Sequence, residues 1–325
     1  MEKRMIKGIN TAIAKAALGT WAFGGDSWWG KQDDKASMEV LSAAIGCGIN
    51  LIDTAPMYGR GRSERTIGAF LRKNKLREKV VLATKLGLSW QGSRVFHDLS
   101  RKRMLAEIDE SRKRLDTDYF DLYQVHWPDP DAKVQETAEI MYGFYKKGLT
   151  KAVGVSNYSL EQMKEFMEYC PLHSLQSQYS MFVRDIEEEI VPFCQKNDIA
   201  ILTYAPLYSG ILTGKFFLDN VAVPDDINRK MKRKDFQEPR FSINKETLQL
   251  LKNIASEYHK TLTQLVINWN FSQPGVFASI VGARSALQLK ENSASMGWDI
   301  SQEDSLLIEN ILKSRFSKLA AAEES

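Results

Sequence analysis

Val80-Val81-Leu82-Ala83-Thr84-Lys85 is an unbroken apolar run that ends on a threonine and a lysine. A strand buried on both faces of a parallel sheet reads this way, whereas a half-exposed strand alternates apolar with polar residues. A loop follows, then a stretch in which Leu105, Ile108, Arg112 and Leu115 share one helical face behind Ser100, a residue type suited to an N-cap. The succession of aliphatic run, loop and amphipathic helix recurs about every thirty residues. Its runs are 15–19, 50–54, 80–85, 120–126, 152–156, 175–179, 200–204 and 278–281. Leu248, Leu251, Ile254 and Tyr258 form another helical face, and Ser159 is a second N-cap candidate. Strand-helix units repeated in this way, with no Pro/Gly/Ser-rich linker dividing them, predict a closed (β/α)8 barrel, the TIM barrel fold, spanning 1–325 as one domain. Two stretches fall outside the repeat. Residues 3–6 and 11–14, around Lys7-Gly8-Ile9-Asn10, predict a β-hairpin plugging the barrel bottom. Residues 219–243 read as a long loop after the seventh strand, where loops often serve as lids. Its basic run Arg229-Lys-Met-Lys-Arg-Lys234 is either a solvated face or a contact for a cofactor phosphate.

Composition narrows the classes of function. The 325 residues are 43% hydrophobic and 26% charged, with 20 glycines and 9 prolines, which excludes a disordered or fibrous chain. Lys+Arg 44 against Asp+Glu 41 gives a net charge of +3, too small and dispersed to call for nucleic acid or an anionic membrane. Cys47, Cys170 and Cys194 are far apart and odd in number, so they fit neither a disulfide framework nor a CxxC metal site. Lys7 and Lys15 interrupt any leader-like apolar stretch, and no run is long enough to span a membrane. These features lead us to expect a cytoplasmic protein without metal.

In such a barrel, chemistry sits where strands end and the following loops begin. The polar residues there are Asp53 and Tyr58, Thr84 and Lys85, Gln124, His126 and Trp127, Ser156 and Asn157, Gln178 and Tyr179, Tyr204 and Ser209-Gly210, and Gly282-Ala-Arg284. A lysine in the 80–85 run would lie near the barrel axis, and a buried ammonium needs an acid, for which Asp53 is available. That lysine, placed beside a tyrosine hydroxyl, would stabilise phenolate and lower the tyrosine pKa, making Tyr58 a proton donor. Singly, Asp53 with Lys85 could be a structural ion pair and His126 a core histidine. Together at successive strand ends they point to chemistry.

The motifs Gly19-Thr20-Trp21, Asn50-Leu-Ile-Asp53-Thr-Ala-Pro-Met-Tyr58-Gly59, Thr84-Lys85, Val125-His126, Gly154-Val-Ser156-Asn157, Gln178-Tyr179, Tyr204-Ala-Pro-Leu207 and Gly282-Ala-Arg284 resemble the aldo-keto reductase superfamily over nearly the whole chain. The resemblance implies a barrel oxidoreductase that uses NADPH/NADP+ without metal, with hydride passing between nicotinamide and a carbonyl carbon. Carried over, Tyr58 is the general acid, Asp53 and Lys85 tune it, and His126 orients the carbonyl oxygen. Cofactor contacts would come from Gly19, Thr20, Trp21 and Asp53. Ser156, Asn157 and Gln178 would hold the carboxamide, and Tyr204 would stack on the nicotinamide ring. Leu207, Ser209, Gly210, Leu212 and Lys215 would line the pyrophosphate, and Gly282, Arg284, Gln288 and Asn292 would take the adenosine end.

At that end Val281 and Gly282 replace a proline and lysine of well-known mammalian members, and Gln288 replaces an arginine. This is similar to the branch of bacterial sugar or inositol dehydrogenases and potassium-channel β subunits. Arg284 is placed to read a 2′-phosphate, which predicts NADPH over NADH. The short tail after Lys313 implies a wide substrate pocket bordered by Trp21, Trp28, Trp29, Trp90, Arg94 and Trp127. The substrate is expected to be a small carbonyl or sugar-like molecule. One rival is an NADPH-binding regulatory subunit docking on a membrane protein with little turnover, and another a hydrolase or isomerase using Asp53 and His126. A P-loop, a nucleophile elbow and a GxGxxG fingerprint are all incomplete or absent.

Overall fold

The computed structural model describes residues 4–92 and 94–323. Its strands are β1 (Ala16–Gly19), β2 (Leu51–Asp53), β3 (Val81–Leu86), β4 (Leu88–Gln91), β5 (Arg94–His97), β6 (Phe120–Val125), β7 (Thr150–Ser156), β8 (Ser174–Gln178), β9 (Ala200–Tyr204) and β10 (Val276–Gly282). Among the described residues, all but β4 and β5 pair in parallel and close into a barrel of order β1-β10-β9-β8-β7-β6-β3-β2. Every run expected from the sequence is a barrel strand, and helices cover the outer face. The (β/α)8 expectation therefore holds.

Because side chains alternate along a strand, one parity of each strand faces the axis. The lowest inward layer is aliphatic and small, with Ala17, Leu51, Val81, Ala83, Leu122, Ala152, Leu202 and Ala278 packed together. Ile6, Ile9 and Ile13 close this layer from below, each about 2% exposed. Among the described residues the expected plug is present as a loop, with a bridge between Arg4 and Ile13 and a turn at Gly8 (φ +89°) rather than a laddered hairpin. Lys3 lies outside the described residues.

Two helical readings change in detail. On the helix Arg101–Leu115 the buried stripe is Met104, Glu107, Ile108, Ser111 and Leu115, while Leu105 is 41% exposed. The stripe follows i, i+4, i+7, i+11 from Met104, one residue before the leucine on which the apolar face was centred. Leu248, Leu251 and Ile254 are buried as expected, with Tyr258 half-buried at the helix end. Ser100 and Ser159 both cap, accepting from the Arg103 and Gln162 backbone N–H groups. The 219–243 stretch contains a short helix, Ile227–Met231, a 3-10 turn, Arg233–Phe236, and the start of the helix Arg240–Glu257.

The β4–β5 hairpin stands where the sequence predicts a loop and rises directly from the end of β3. Arg60 donates to the Gly92 carbonyl at its tip, tying it to the loop that carries Tyr58.

Candidate active site

The inward parity that buries the aliphatic floor also builds the layer above it. Two residues beyond Leu51, Ala83, Leu122 and Leu202 along their strands stand Asp53, Lys85, Gln124 and Tyr204, side by side at the C-terminal mouth. Lys85 is fully buried, and its ammonium donates to Asp53 Oδ1 at 2.5 Å, to the Thr54 carbonyl at 3.1 Å and to Tyr58 Oη at 3.4 Å. Its three N–H groups are all used. Asp53 Oδ2 accepts from Gln176 at 2.9 Å and Gln124 at 3.3 Å. Burial, the strongest single influence, would expel the Lys85 proton, but the charge and hydrogen bond of Asp53 together with those of Tyr58 outweigh it, so Lys85 holds its proton more firmly than a free lysine.

Tyr58 comes from the loop after β2. The loop turns tightly at Gly59 (φ +59°), where an added Cβ would lie 2.6 Å from the Gly24 Cα, so only glycine permits the approach. The Tyr58 ring stacks on Trp21 at 6.0 Å and meets His126 edge-on at 6.0 Å. The expected lowering of its pKa is corrected here. Burial raises it above the usual 10.0, and Lys85 only partly offsets that rise. Tyr58 therefore keeps its proton at neutral pH. His126 is pushed well below 6.5, first by burial, then by Lys85 and His97, so its imidazole is neutral.

Of the other residues singled out, Asn157 adopts φ +62° and donates to Ser156 Oγ and the His126 carbonyl, while accepting from Tyr204 Oη at 2.8 Å. Gly19 ends β1, and Thr20 is buried in the wall, donating to the Asp53 carbonyl. Gln178 is half-buried at the end of β8. Leu207 is half-buried and Leu212 fully buried against the helical shell. Ser209 and Gly210 take left-handed backbone angles, and the chain passes beneath Arg229 there. Lys215 loses affinity for its proton through burial and through Arg229 and Arg284, so three cations share this side of the mouth. Arg284 is exposed, held by Gln32 at 3.3 Å and the Lys31 carbonyl, while Gln288 accepts from its backbone N–H and Asn292 donates to the Gly282 carbonyl. Gln32 and Gln176 were missed by sequence reading, and Gln124 was noted without a role. Gln32 lies in an irregular loop. Strand parity turns the other two toward the axis but does not reveal that they meet on Asp53.

Among the pocket candidates, Trp21 touches Trp28 at 5.5 Å and Trp29 at 5.6 Å. The 227–229 segment lies over this cluster, with Asn228 donating to the Trp28 carbonyl at 2.6 Å and the Arg229 guanidinium over Trp29 at 4.8 Å. The basic run is thus divided, Arg229 and Lys232 turned onto aromatic rings and the rest toward solvent. Trp90 pairs with Val95 and Arg94 with Gln91, which puts Trp90 and Arg94 on opposite faces of the hairpin. The two side chains expected beside one pocket thus leave the hairpin in opposite directions. His97, whose charge bears on His126, shares the Trp90 face. Trp127 is 40% exposed at the rim.

A parallel barrel with a buried acid, lysine and tyrosine at its C-terminal mouth is the architecture of a barrel oxidoreductase. The chain belongs to the aldo/keto reductase family, whose model matches residues 15–313. It is 40% identical to the aldo-keto reductase YhdN of Bacillus subtilis over 98% of this chain and 95% of that protein. It is 31% identical to the NADH-specific methylglyoxal reductase of Escherichia coli, with 95% and 97% covered. Among solved structures, the glycerol dehydrogenase AKR11B4 from Gluconobacter oxydans superposes with a TM-score of 0.89 at 35% identity, with 96% and 95% covered. An aldo-keto reductase from Klebsiella pneumoniae in complex with NADPH superposes at 0.72 and 26%, with 96% of each chain covered.

Proposed function

We propose that the protein is an NADP(H)-dependent oxidoreductase that reduces an aldehyde or ketone, or oxidises the corresponding alcohol or sugar, with Tyr58 as general acid and base. The observation that carries this reading is the buried Lys85 ammonium held between Asp53 Oδ1 and Tyr58 Oη. The bound nicotinamide supplies or accepts the hydride. Tyr58 donates its proton to the carbonyl oxygen as charge grows there, and the adjacent ammonium stabilises the phenolate that remains. Neutral His126, meeting the Tyr58 ring edge-on, offers a hydrogen bond that orients the same oxygen. Trp21 borders the substrate.

The residues fit a dinucleotide. Lys215, Arg229 and Arg284 bring three cations to the rim on the side of the left-handed Ser209-Gly210 segment, and although Asp226 pairs with Arg229 and Glu291 partly offsets the charge around Lys215, this rim suits an anionic pyrophosphate or phosphate. Asn157 and Ser156 would meet the carboxamide. Following NADPH and NADH absorbance against a panel of aldehydes and, in reverse, polyols tests the reading. Tight NADPH binding without turnover on any of them would favour the docking-subunit alternative instead.

A further inference from the structure

The Asp53 carboxylate is gripped on both oxygens, and only one grip belongs to the lysine. Gln176 Nε2 lies 2.9 Å from Oδ2, Gln124 Nε2 lies 3.3 Å from the same oxygen, and Gln176 Nε2 is 3.4 Å from Gln124 Oε1. Gln124 is fully buried and Gln176 only 3% exposed, so neither amide has water as an alternative partner. The two glutamines stand on β6 and β8, the strands on either side of β7. Gln124 has room because its register partner on β7 is Gly154, where an added Cβ would come within 2.4 Å of Ser174 Oγ and 2.9 Å of Gln124 Cγ. Gly154 is thus a glycine for space, and that space is shared by Ser174 and the stem of the Gln124 side chain, whose amide reaches Asp53.

The torsion that turns an aspartate's carboxylate is broad and weakly restrained. Lys85 has committed its three N–H groups to Asp53, Thr54 and Tyr58, so rotation of the carboxylate would carry the ammonium with it. We infer that Gln124, together with Gln176, is a positioning residue for proton transfer, locking the Asp53 carboxylate plane so that Lys85 stays directed at the Tyr58 oxygen. The inference rests on the reading of Tyr58 as the proton donor.

Gln124→Met keeps the length of the side chain and removes the donor, and Gln124→Glu supplies a donor only while its new carboxyl is protonated. Carbonyl reduction is measured from about pH 5 to 10 for both, beside wild type and Tyr58→Phe, with NADPH affinity followed by fluorescence. For Gln124→Met the expected result is a kcat about 10-fold lower, as for loss of a hydrogen bond to a charged group, with NADPH affinity unchanged. Its alkaline limb should also move to lower pH, because a loosened Asp53 holds the lysine proton less well. For Gln124→Glu the deficit should shrink as pH falls. A folded Gln124→Met with wild-type kcat and alkaline limb overturns the inference, as does a Gln124→Glu deficit that is the same at every pH. Should Gln124→Met fail to fold, Gln124→Glu and Gln176→Met are read by the same criteria. Normal turnover in Tyr58→Phe would instead overturn the proton-donor reading itself, which separates the two failures.

Discussion

In the proposed reaction Tyr58 is the proton donor, and its environment should make the two directions respond differently to pH. Burial raises its pKa, so the protonated form that reduction needs persists through neutrality, whereas oxidation of an alcohol needs the phenolate. Rates measured in both directions should therefore diverge, with oxidation gaining through the neutral and alkaline range while reduction stays level until Tyr58 loses its proton. Equal pH profiles would argue against a tyrosine acid. Removing the hydroxyl in Tyr58→Phe is expected to abolish most carbonyl reduction while NADPH affinity, read by fluorescence titration, is retained. His126→Ala should lower kcat by about 10²-fold, the usual loss for one donor at a developing oxyanion, again with cofactor affinity intact. An effect of His126→Ala confined to melting temperature would make the histidine a packing residue. Arg284→Ala should weaken NADPH by about 10-fold and leave NADH nearly unchanged, because only the former presents a 2′-phosphate to a guanidinium.

At the scale of the element, the helix Arg101–Leu115 is pinned to the end of β3 by Glu107, whose Oε2 accepts from the Gly87 backbone N–H at 2.9 Å. Glu107 is fully buried and its pKa is pushed up to about 7, chiefly by burial, against the favourable pull of the Gly87 N–H and Arg103. Because the folded protein then binds a proton that the unfolded chain has released, this group stabilises most below about pH 4.5. That contribution is lost as pH rises through 7. The whole span corresponds to roughly 3 kcal/mol at most. Glu107→Gln keeps the shape and an acceptor for Gly87, and it should flatten this part of the stability curve when urea unfolding is compared at about pH 5 and pH 8. A slope unchanged from wild type would show that Glu107 is not its source. The same pinning matters to the site, since Gly87 is where the chain leaves Lys85 and turns into the hairpin whose Trp90 face carries His97.

For the whole molecule, floor and mouth lie at opposite ends of one barrel, so stability and chemistry should separate. Ile9→Ala, at the plug, should cost about 2 to 5 kcal/mol of unfolding free energy, as for other large-to-small core changes, yet leave kcat untouched. Loss of turnover in step with stability would mean that the plug communicates with the mouth. Much of this was determined by the sequence alone. Continuous apolar runs at a regular interval can be satisfied only by a parallel sheet covered on both faces, and repeated strand-helix units without a linker close it into a barrel. The strand-end positions of Asp53, Lys85 and His126 follow from those runs. Other features needed the tertiary structure. Which oxygen of Asp53 each partner takes, the opposite faces of Trp90 and Arg94, the raised pKa of Tyr58 and the convergence of Gln124 and Gln176 all depend on strands distant in the chain meeting at one register. Burial, distance and the direction of a side chain across the barrel axis are set by how those strands close on one another, and no local pattern of residues encodes them.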